Sequence, residues 1–198
     1  MTSTDTLEHS RSKRLKIMTH ETHERLDKSI MAAASFSSLE GYGRFVSVQY
    51  LFHRDIEALY DEPALQALLP GLAERRRLAL VEADLADLGL TLPPTDALPA
   101  FVAGQDVDVA EALGWLYVAE GSNMGAALLR KEAAKLGLSD THGARHLAPA
   151  REGPAAHWRA FTAGLDAVEL TADEEARAVG GANAAFARVQ AHVDSRLG

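Results

Sequence analysis

Two histidines lie three residues apart in the stretch MTHETHERLDK, at positions 20 and 23. Imidazole is the commonest protein ligand for metal ions, so its spacing indicates which metal chemistry is open. A zinc helix of the HExxH type needs histidines at i and i+4 on one face, whereas HETH provides i and i+3. The chain also has no cysteine to complete a structural zinc site. Zinc is therefore a poor interpretation, and each histidine has to be considered separately.

Helical winding separates the two histidines. At about 100° per residue, His23 lies roughly 60° from the centre of an apolar arc, and His20 lies about 120° from it. We therefore expect His23 to face an interior pocket and His20 to face water. The apolar arc, which should face the core, consists of Leu15, Met18, Leu26, Ile30 and Ala33.

Three neighbours share the side of the helix that carries His23. Asp27, at i+4, can accept a hydrogen bond from the far ring nitrogen and so fix the tautomer of a ligating imidazole. Thr19 lies one turn back, and Lys16 lies two turns back, where it could meet an anionic ligand group. The alternative is a boundary histidine with an ion pair on the helix surface. This helix alone leaves that alternative open.

A second stretch, ALGWLYVAEGSNMGAALLRKEAAKLG, is strongly helical yet contains Gly114, Gly121 and Gly125. Each interior glycine costs about 1 kcal/mol relative to alanine. Gly121 and Gly125 expose backbone along one side, with Ser122 and Asn123 between them, and predict a bend. They also allow a flat ligand to approach the main chain. The alternative is close helix–helix packing through small residues.

The remaining sequence predicts an all-α protein with a single domain. Ala, Leu, Glu and Arg dominate, and no run of alternating β-branched residues appears. We expect a loose tail over residues 1–10 and one domain over 11–198. Seven helices are predicted. Five run over 13–34, 63–70, 72–89, 109–136 and 154–168. The other two begin at capping boxes, one at 37–40 with the helix ending at 60, and one at 171–174 with the helix ending at 196.

Composition excludes several classes of function. The net charge of −8 argues against a nucleic-acid-binding protein. The lack of cysteine excludes disulfides, thiolate metal sites and cysteine nucleophiles. No apolar run reaches about 18 residues, so we expect a soluble, cytoplasmic protein that does not enter a membrane. Its well-capped, charged helices favour a monomer.

These residues resemble a known family. TxxxHxxLD, over 19–27, and WLYVAEGSNMGAALL, over 115–129, are similar to the bacterial biliverdin-producing haem oxygenases. The similarity continues through RFVSVQYLFHRDIEALY, LPGLAERRRLALVEADLADLG and GARHLAP. It is greatest to the branch used in haem-iron acquisition, which also resembles enzymes that make biliverdin for bacteriophytochromes. The resemblance implies a haem oxygenase-like helical fold, with haem between a proximal helix and a glycine-kinked distal helix.

The resemblance also implies roles for the residues already singled out. His23 would be the axial ligand of the haem iron, with Asp27 as its hydrogen-bonding partner and Thr19 beside it. Gly121 and Gly125 would lie over the distal face of haem. The remaining matches are Ser122 and Asn123, which would order distal water, and Lys16, Tyr117 and Arg159, which would hold propionates.

The implied reaction uses haem as both cofactor and substrate. O2 and electrons from a reductase or ferredoxin would convert haem to biliverdin, carbon monoxide and ferrous iron, and we expect attack at the α-meso carbon. A bacteriophytochrome is a candidate acceptor of the biliverdin. No His or Arg lies between Gly121 and Gly125, which favours ring hydroxylation over peroxidase chemistry.

The sequence departs from many family members at the distal helix. They carry Asp where Ser122 stands and a Gly-Gly pair where Gly125 and Ala126 stand, so the water network must be anchored differently here. The main alternative is a non-catalytic haem or bilin binding and delivery protein on the same fold. Such a binder often closes the sixth iron position, for which Met124 is the candidate, although its spacing favours packing. A purely structural protein would leave the interior glycines unexplained.

Overall fold

The computed structural model describes residues 10–33 and 36–197. In these ranges the chain is all-α, as predicted. It contains no β-strand there, only two isolated β-bridges that both involve Ser139. The predicted tail, apart from Ser10, lies outside the described residues. Three short 3-10 turns, over 57–61, 73–75 and 145–147, join the helices. The helices are α1 (Arg11–Met18), α2 (His20–Ala33), α3 (Leu39–Ile56), α4 (Pro63–Leu68), α5 (Leu78–Asp87), α6 (Val109–Lys135), α7 (Pro154–Ala167) and α8 (Ala172–Leu197).

The helix starts follow the capping signals. The Asp108 side chain accepts from the Glu111 N–H at 3.0 Å and begins α6. Thr171 and Glu174 cap α8 reciprocally, with the Glu174 carboxylate accepting from the Thr171 N–H at 2.8 Å. At α3 the cap is Ser38, which accepts from the Gly41 N–H, so this helix begins one residue later than the motif at 37–40 predicts.

The first predicted helix is wrong as a single element, because it is divided at Thr19. The backbone there has φ −110° and ψ 5°, and the Thr19 hydroxyl donates to the Leu15 carbonyl at 2.7 Å. Arg11, Leu15 and Thr19 form the buried face of α1. Met18, predicted for the core, is 61% exposed because Thr19 occupies the inward position one turn after Leu15.

Two other boundaries differ from the prediction. Residues 57–61 tighten into a 3-10 turn after α3, and α5 begins at Leu78 rather than near residue 72. Arg76 adopts extended backbone, with ψ 144°, between the 3-10 turn at 73–75 and α5. Arg75 in that turn is buried and pairs with Glu120 of α6. A tertiary contact therefore replaces the first turn of the predicted helix.

Helix α8 organises the fold, because it packs along α6 and also contacts α2 and α3. Glycines make the α6–α8 crossing close. A Cβ on Gly114 would lie 2.0 Å from the Ala178 carbonyl oxygen, and one on Gly181 would lie 2.1 Å from the Glu111 carbonyl oxygen. None of the helices in the described part of the chain is both long and apolar enough to cross a membrane.

Gly114→Ala should destabilise the protein although alanine favours helix. The new Cβ would meet backbone of α8 that cannot rotate away, so the two helices would have to separate. We expect the free energy of unfolding to fall by about 2 kcal/mol, measured by urea unfolding. Gly180→Ala is the control, since a Cβ there meets no atom within 4 Å, and it should stabilise by about 0.5–1 kcal/mol. Equal stability of Gly114→Ala and wild type would contradict close packing at this crossing.

Candidate functional site

The two histidines of the opening stretch occupy different environments on α2. His20 is exposed beside Glu24, as predicted. The His23 side chain is also 56% exposed, so it lies at the surface rather than in an enclosed interior. One side of its ring contacts Phe186 of α8, with ring centroids 5.5 Å apart. Asp27 Oδ2 lies 3.4 Å from His23 Nε2, and the other ring nitrogen forms no hydrogen bond within the described residues.

The segment that carries His23 is anchored through α1. Arg11 is 5% exposed and pairs with Glu175 of α8 at 2.7 Å. Its guanidinium also donates to the carbonyls of Leu165 and Val168 at the end of α7. A buried guanidinium with these partners fixes the start of the segment against both helices, because leaving any of the groups unpaired would be costly.

The interior glycines of α6 divide into two kinds. Gly114 is needed for helix packing, as the crossing with α8 shows. A Cβ on Gly125 would meet no atom within 4 Å, and one on Gly121 would touch only the Trp158 ring at 3.8 Å. Close packing of helices therefore explains Gly114 but not Gly121 or Gly125. The helix remains continuous through both glycines, and the bend stays a prediction.

The polar residues between these glycines have different exposures. Ser122 is exposed, and its hydroxyl donates back to the Ala119 carbonyl at 2.6 Å. Asn123 is half-buried. Met124, whose spacing favours packing rather than iron ligation, is 44% exposed. Its i+3 position relative to Gly121 places it beside the glycine face rather than toward α8.

The predicted propionate residues lie on three helices. Tyr117 is 9% exposed and contacts Trp158, with ring centroids 5.7 Å apart. Burial raises the pKa of its hydroxyl. Tyr117 lies one turn before Gly121, so the two share a face of α6. Lys16 on α1 and Arg159 on α7 are exposed, and neither forms an ion pair with another described side chain.

A buried ionisable cluster lies where the 3-10 turn at 145–147 packs near α6, and sequence reasoning assigned it no role. Asp84 of α5 accepts from His146 Nδ1 at 2.7 Å, and Arg77 donates to the His146 carbonyl at 2.6 Å. His53 Nδ1 and His146 Nε2 are buried without a hydrogen-bond partner among the described residues. Such unpaired nitrogens are sites where water can bind.

A second buried ionisable group lies directly before the glycine segment. Glu120, immediately before Gly121, pairs with Arg75 at 2.6 Å and lies 3.6 Å from His157 Nε2. His157 Nδ1 lies 2.7 Å from the exposed carboxylate of Glu152. Burial raises the pKa of Glu120, although Arg75 acts in the opposite direction. Ionisable groups therefore extend from the surface to the base of the glycine segment.

The burial of His53 predicts a pH dependence of stability. Burial, with smaller effects of His146 and Arg77, lowers the pKa of His53 from 6.5 to about 3. Below pH 6.5 the unfolded chain binds a proton at this position that the folded chain does not bind until about pH 3. Stability present at neutral pH should therefore be lost as pH falls, by about 1.4 kcal/mol per pH unit for this group.

Urea unfolding at pH 7, 6 and 5 checks the expectation for His53. His53→Phe should flatten the fall in unfolding free energy toward acid. His142→Gln should leave the slope unchanged, because the His142 side chain is 58% exposed. If His53→Phe and wild type lost stability in parallel, the slope would have to originate in other groups.

The residues present fit haem. A flat ring needs backbone without Cβ atoms on one side, which Gly121 and Gly125 provide. It also needs an imidazole nitrogen without a partner among the described residues, which His23 provides. The aromatic pair of Tyr117 and Trp158 lies next to the glycine face and offers an apolar wall. Lys16 supplies a positive charge on the helix that precedes His23.

Comparison with known proteins agrees with this fit. The family described as Heme oxygenase matches residues 9–194. Heme oxygenase PigA of Pseudomonas aeruginosa is 47% identical over 183 residues, 92% of this chain and 91% of that protein. The NO- and CO-bound heme oxygenase of Neisseria meningitidis superposes with a TM-score of 0.88 at 39% identity, covering 96% of this chain and 92% of that one.

A third protein extends the comparison to lower identity. The heme oxygenase of Leptospira interrogans has a TM-score of 0.72 at 17% identity, covering 94% of this chain and 99% of that one, which supports the fold alone. The family match covers nearly the whole chain, including both the helix of His23 and the glycine segment. This chain therefore belongs to the heme oxygenase family.

Proposed function

We propose that this protein binds haem between α2 and the glycine segment of α6 and cleaves it to biliverdin, carbon monoxide and ferrous iron. Membership of the heme oxygenase family makes haem degradation its activity. The observation that carries the location of the site is the contrast among the interior glycines. Gly121 and Gly125 have no packing partner that demands glycine, whereas Gly114 does.

On the proximal side, His23 would hold the haem iron. An exposed imidazole with one nitrogen beside Asp27 leaves its other nitrogen available to coordinate iron. Asp27 then holds the tautomer and increases the basicity of the ligating nitrogen. Thr19, buried with its hydroxyl on the Leu15 carbonyl, contributes by fixing the turn before His23.

On the distal side, the protein determines how closely haem approaches the main chain of α6 and where water is ordered. Bound haem supplies the iron that activates O2, and the protein supplies placement and protons. Gly121 and Gly125 admit the ring to the main chain, while Ser122 and Asn123 offer hydroxyl and amide groups for ordered water. The His53 and His146 nitrogens that have no partner among the described residues add further polar groups to the interior.

We propose the α-meso carbon as the site of attack, with Lys16 and Tyr117 setting the rotation of haem through its propionates. The double variant Lys16→Asn/Tyr117→Phe should change the proportion of biliverdin isomers while ring opening continues. Chromatography of the isomers checks this. Arg159→Ala is the comparison, since Arg159 would act only at the rim of the site. A wild-type product other than the α isomer would contradict this regiochemistry.

A reductase or a ferredoxin supplies the electrons in this proposal, and a bacteriophytochrome is a candidate acceptor of the product. A monomer working in the cytoplasm fits the acidic, well-capped surface. O2 is the oxidant, because ring opening places oxygen atoms in biliverdin and carbon monoxide.

The second candidate function is a non-catalytic haem or bilin binding and delivery protein. The exposure of Met124 between the glycines favours it, because a thioether there is free of core packing and could occupy the sixth iron position. Met124→Leu separates the two functions. A binder closed by Met124 would lose its six-coordinate spectrum, whereas the enzyme should keep its haem spectrum and its turnover.

An optical titration with haemin, followed by an electron donor in air with catalase present, tests the proposal. We expect one haem per chain, a histidine-type spectrum, and decay to the broad red absorption of biliverdin. Haem that binds and then only cycles between reduced and oxygenated forms would favour the binder. Failure to bind haemin stoichiometrically would overturn the enzyme and the haem binder, and would leave only a bilin binder.

A further inference from the structure

The His23 ring has two neighbours, one buried and one exposed, that restrict its position to different degrees. Phe186 of α8 is 6% exposed, and its ring contacts that of His23 at 5.5 Å between centroids and 44° between planes. Tilted aromatic pairs at this separation attract each other. The Asp27 carboxylate is 60% exposed and 3.4 Å from Nε2, and exposed ion pairs of this kind contribute little. The buried phenyl ring of Phe186 therefore restricts the orientation of the imidazole more strongly than Asp27 does.

The backbone beside His23 is held by the same helix. Thr22 Oγ1 donates to Asn183 Oδ1 at 3.1 Å, and Asn183 Nδ2 donates to the Val179 carbonyl at 3.2 Å. The second bond fixes which end of the amide faces α2. Asn183 and Phe186 are three residues apart and lie on one face of α8. This face therefore holds the residue before His23 by a hydrogen bond and His23 itself by ring packing.

Helix α8 is also the partner of the distal helix. The close crossing at Gly114 and Gly181 fixes α6 against α8 within narrow limits, because any Cβ there would meet backbone. The position of α8, which contacts His23, is thus fixed relative to α6, which carries the glycine segment. Helix α8 therefore contacts both helices that border the proposed site.

We infer that Phe186 and Asn183 are positioning residues that set the direction of the His23 imidazole toward haem. This inference rests on the proposed role of His23 as the axial ligand. Both are assigned a positioning role rather than a catalytic one. Each acts by restricting the side chain or the backbone of His23, as packing neighbours and hydrogen-bond partners of metal ligands do.

Nuclear magnetic resonance of the haem-free protein tests the contact directly. The wild type should show an Overhauser effect between the ring protons of His23 and Phe186, and the His23 ring protons should carry a ring-current shift. Phe186→Leu should remove that shift. Val193→Ala is the matched control, since Val193 is equally buried on α8 but about 10 Å further along the helix. It should leave the His23 resonances unchanged.

Haem binding then tests the consequence of the contact. Phe186→Leu and Asn183→Ala should each weaken haemin affinity by about 2- to 10-fold and alter the ferric spectrum. Phe186→Tyr, which keeps the ring, should retain the ring-current shift and restore the spectrum. Val193→Ala should match wild type in both measurements.

The outcomes separate this inference from the proposed function. Absence of the Overhauser effect, or a wild-type ferric spectrum in Phe186→Leu, would overturn the positioning role while His23 remained the ligand. If His23→Ala kept the wild-type haem spectrum, the ligand role would fail, and the positioning role would fail with it. The contact between the His23 and Phe186 rings would still be observed in the haem-free wild type.

Discussion

Replacing His23 with alanine should abolish haem degradation while leaving the fold intact. Loss of a mere hydrogen-bonding partner of a metal ligand typically costs 10- to 100-fold, so loss of the ligand should reduce turnover by at least about 100-fold. The histidine-type haem spectrum should disappear with it. The His23 side chain is 56% exposed, so the free energy of unfolding of the haem-free protein should change by less than about 1 kcal/mol.

His20→Ala is the matched control for His23→Ala. Both histidines are exposed on α2 beside a carboxylate at i+4, Glu24 for His20 and Asp27 for His23. His23 in addition has a ring contact with Phe186 of α8. His20→Ala should therefore keep both the haem spectrum and the turnover. Equal behaviour of the two variants would remove the reason for assigning the ligand role to His23.

Substitution of Gly125 should separate stability from function. In the haem-free protein a Cβ at this position meets no atom within 4 Å, so Gly125→Ala should stabilise by about 0.5–1 kcal/mol. Gly125→Phe should fold as well, because its ring would project into the same space. Yet it should weaken haemin binding by about 10- to 100-fold, since the ring would occupy space that haem needs against the main chain.

Gly180→Ala provides the comparison for Gly125. Gly180 is also an interior glycine of a long helix with no atom near the added Cβ, but it lies on α8. It should stabilise the protein to a similar degree and leave haemin affinity and turnover unchanged. If Gly125→Phe bound and degraded haem as the wild type does, the glycine segment would not face the substrate.

Local signals predicted those parts of the fold whose cause lies within a few residues. The caps at Asp108 and Thr171 and the length of α6 follow from such signals. The break at Thr19 was not predicted, although the Thr19 hydroxyl bonds to the Leu15 carbonyl only four residues back. The late start of α5 also escaped prediction, since Arg75 is drawn into a buried pair with Glu120, 45 residues away.

The candidate site shows the same division. His23, Asp27, Gly121 and Gly125 lie in two short stretches whose spacing is visible in the sequence. The buried cluster that includes His53, Arg77, Asp84 and His146 draws on α3, α5 and the loop after α6, so no local spacing reveals it. The roles of α8 were missed for a similar reason, because Asn183 and Phe186 are ordinary residues of an amphipathic helix until α2 packs on them.

The most direct test of the account is the stoichiometry of the products in a single turnover. The protein would be loaded with one equivalent of haemin and supplied with a reductase in air. Biliverdin would then be quantified by chromatography, and carbon monoxide by its binding to a reporter haemoprotein. We predict one biliverdin, one carbon monoxide and one ferrous iron per haem. Haem recovered intact, or bleached without carbon monoxide, would contradict the account.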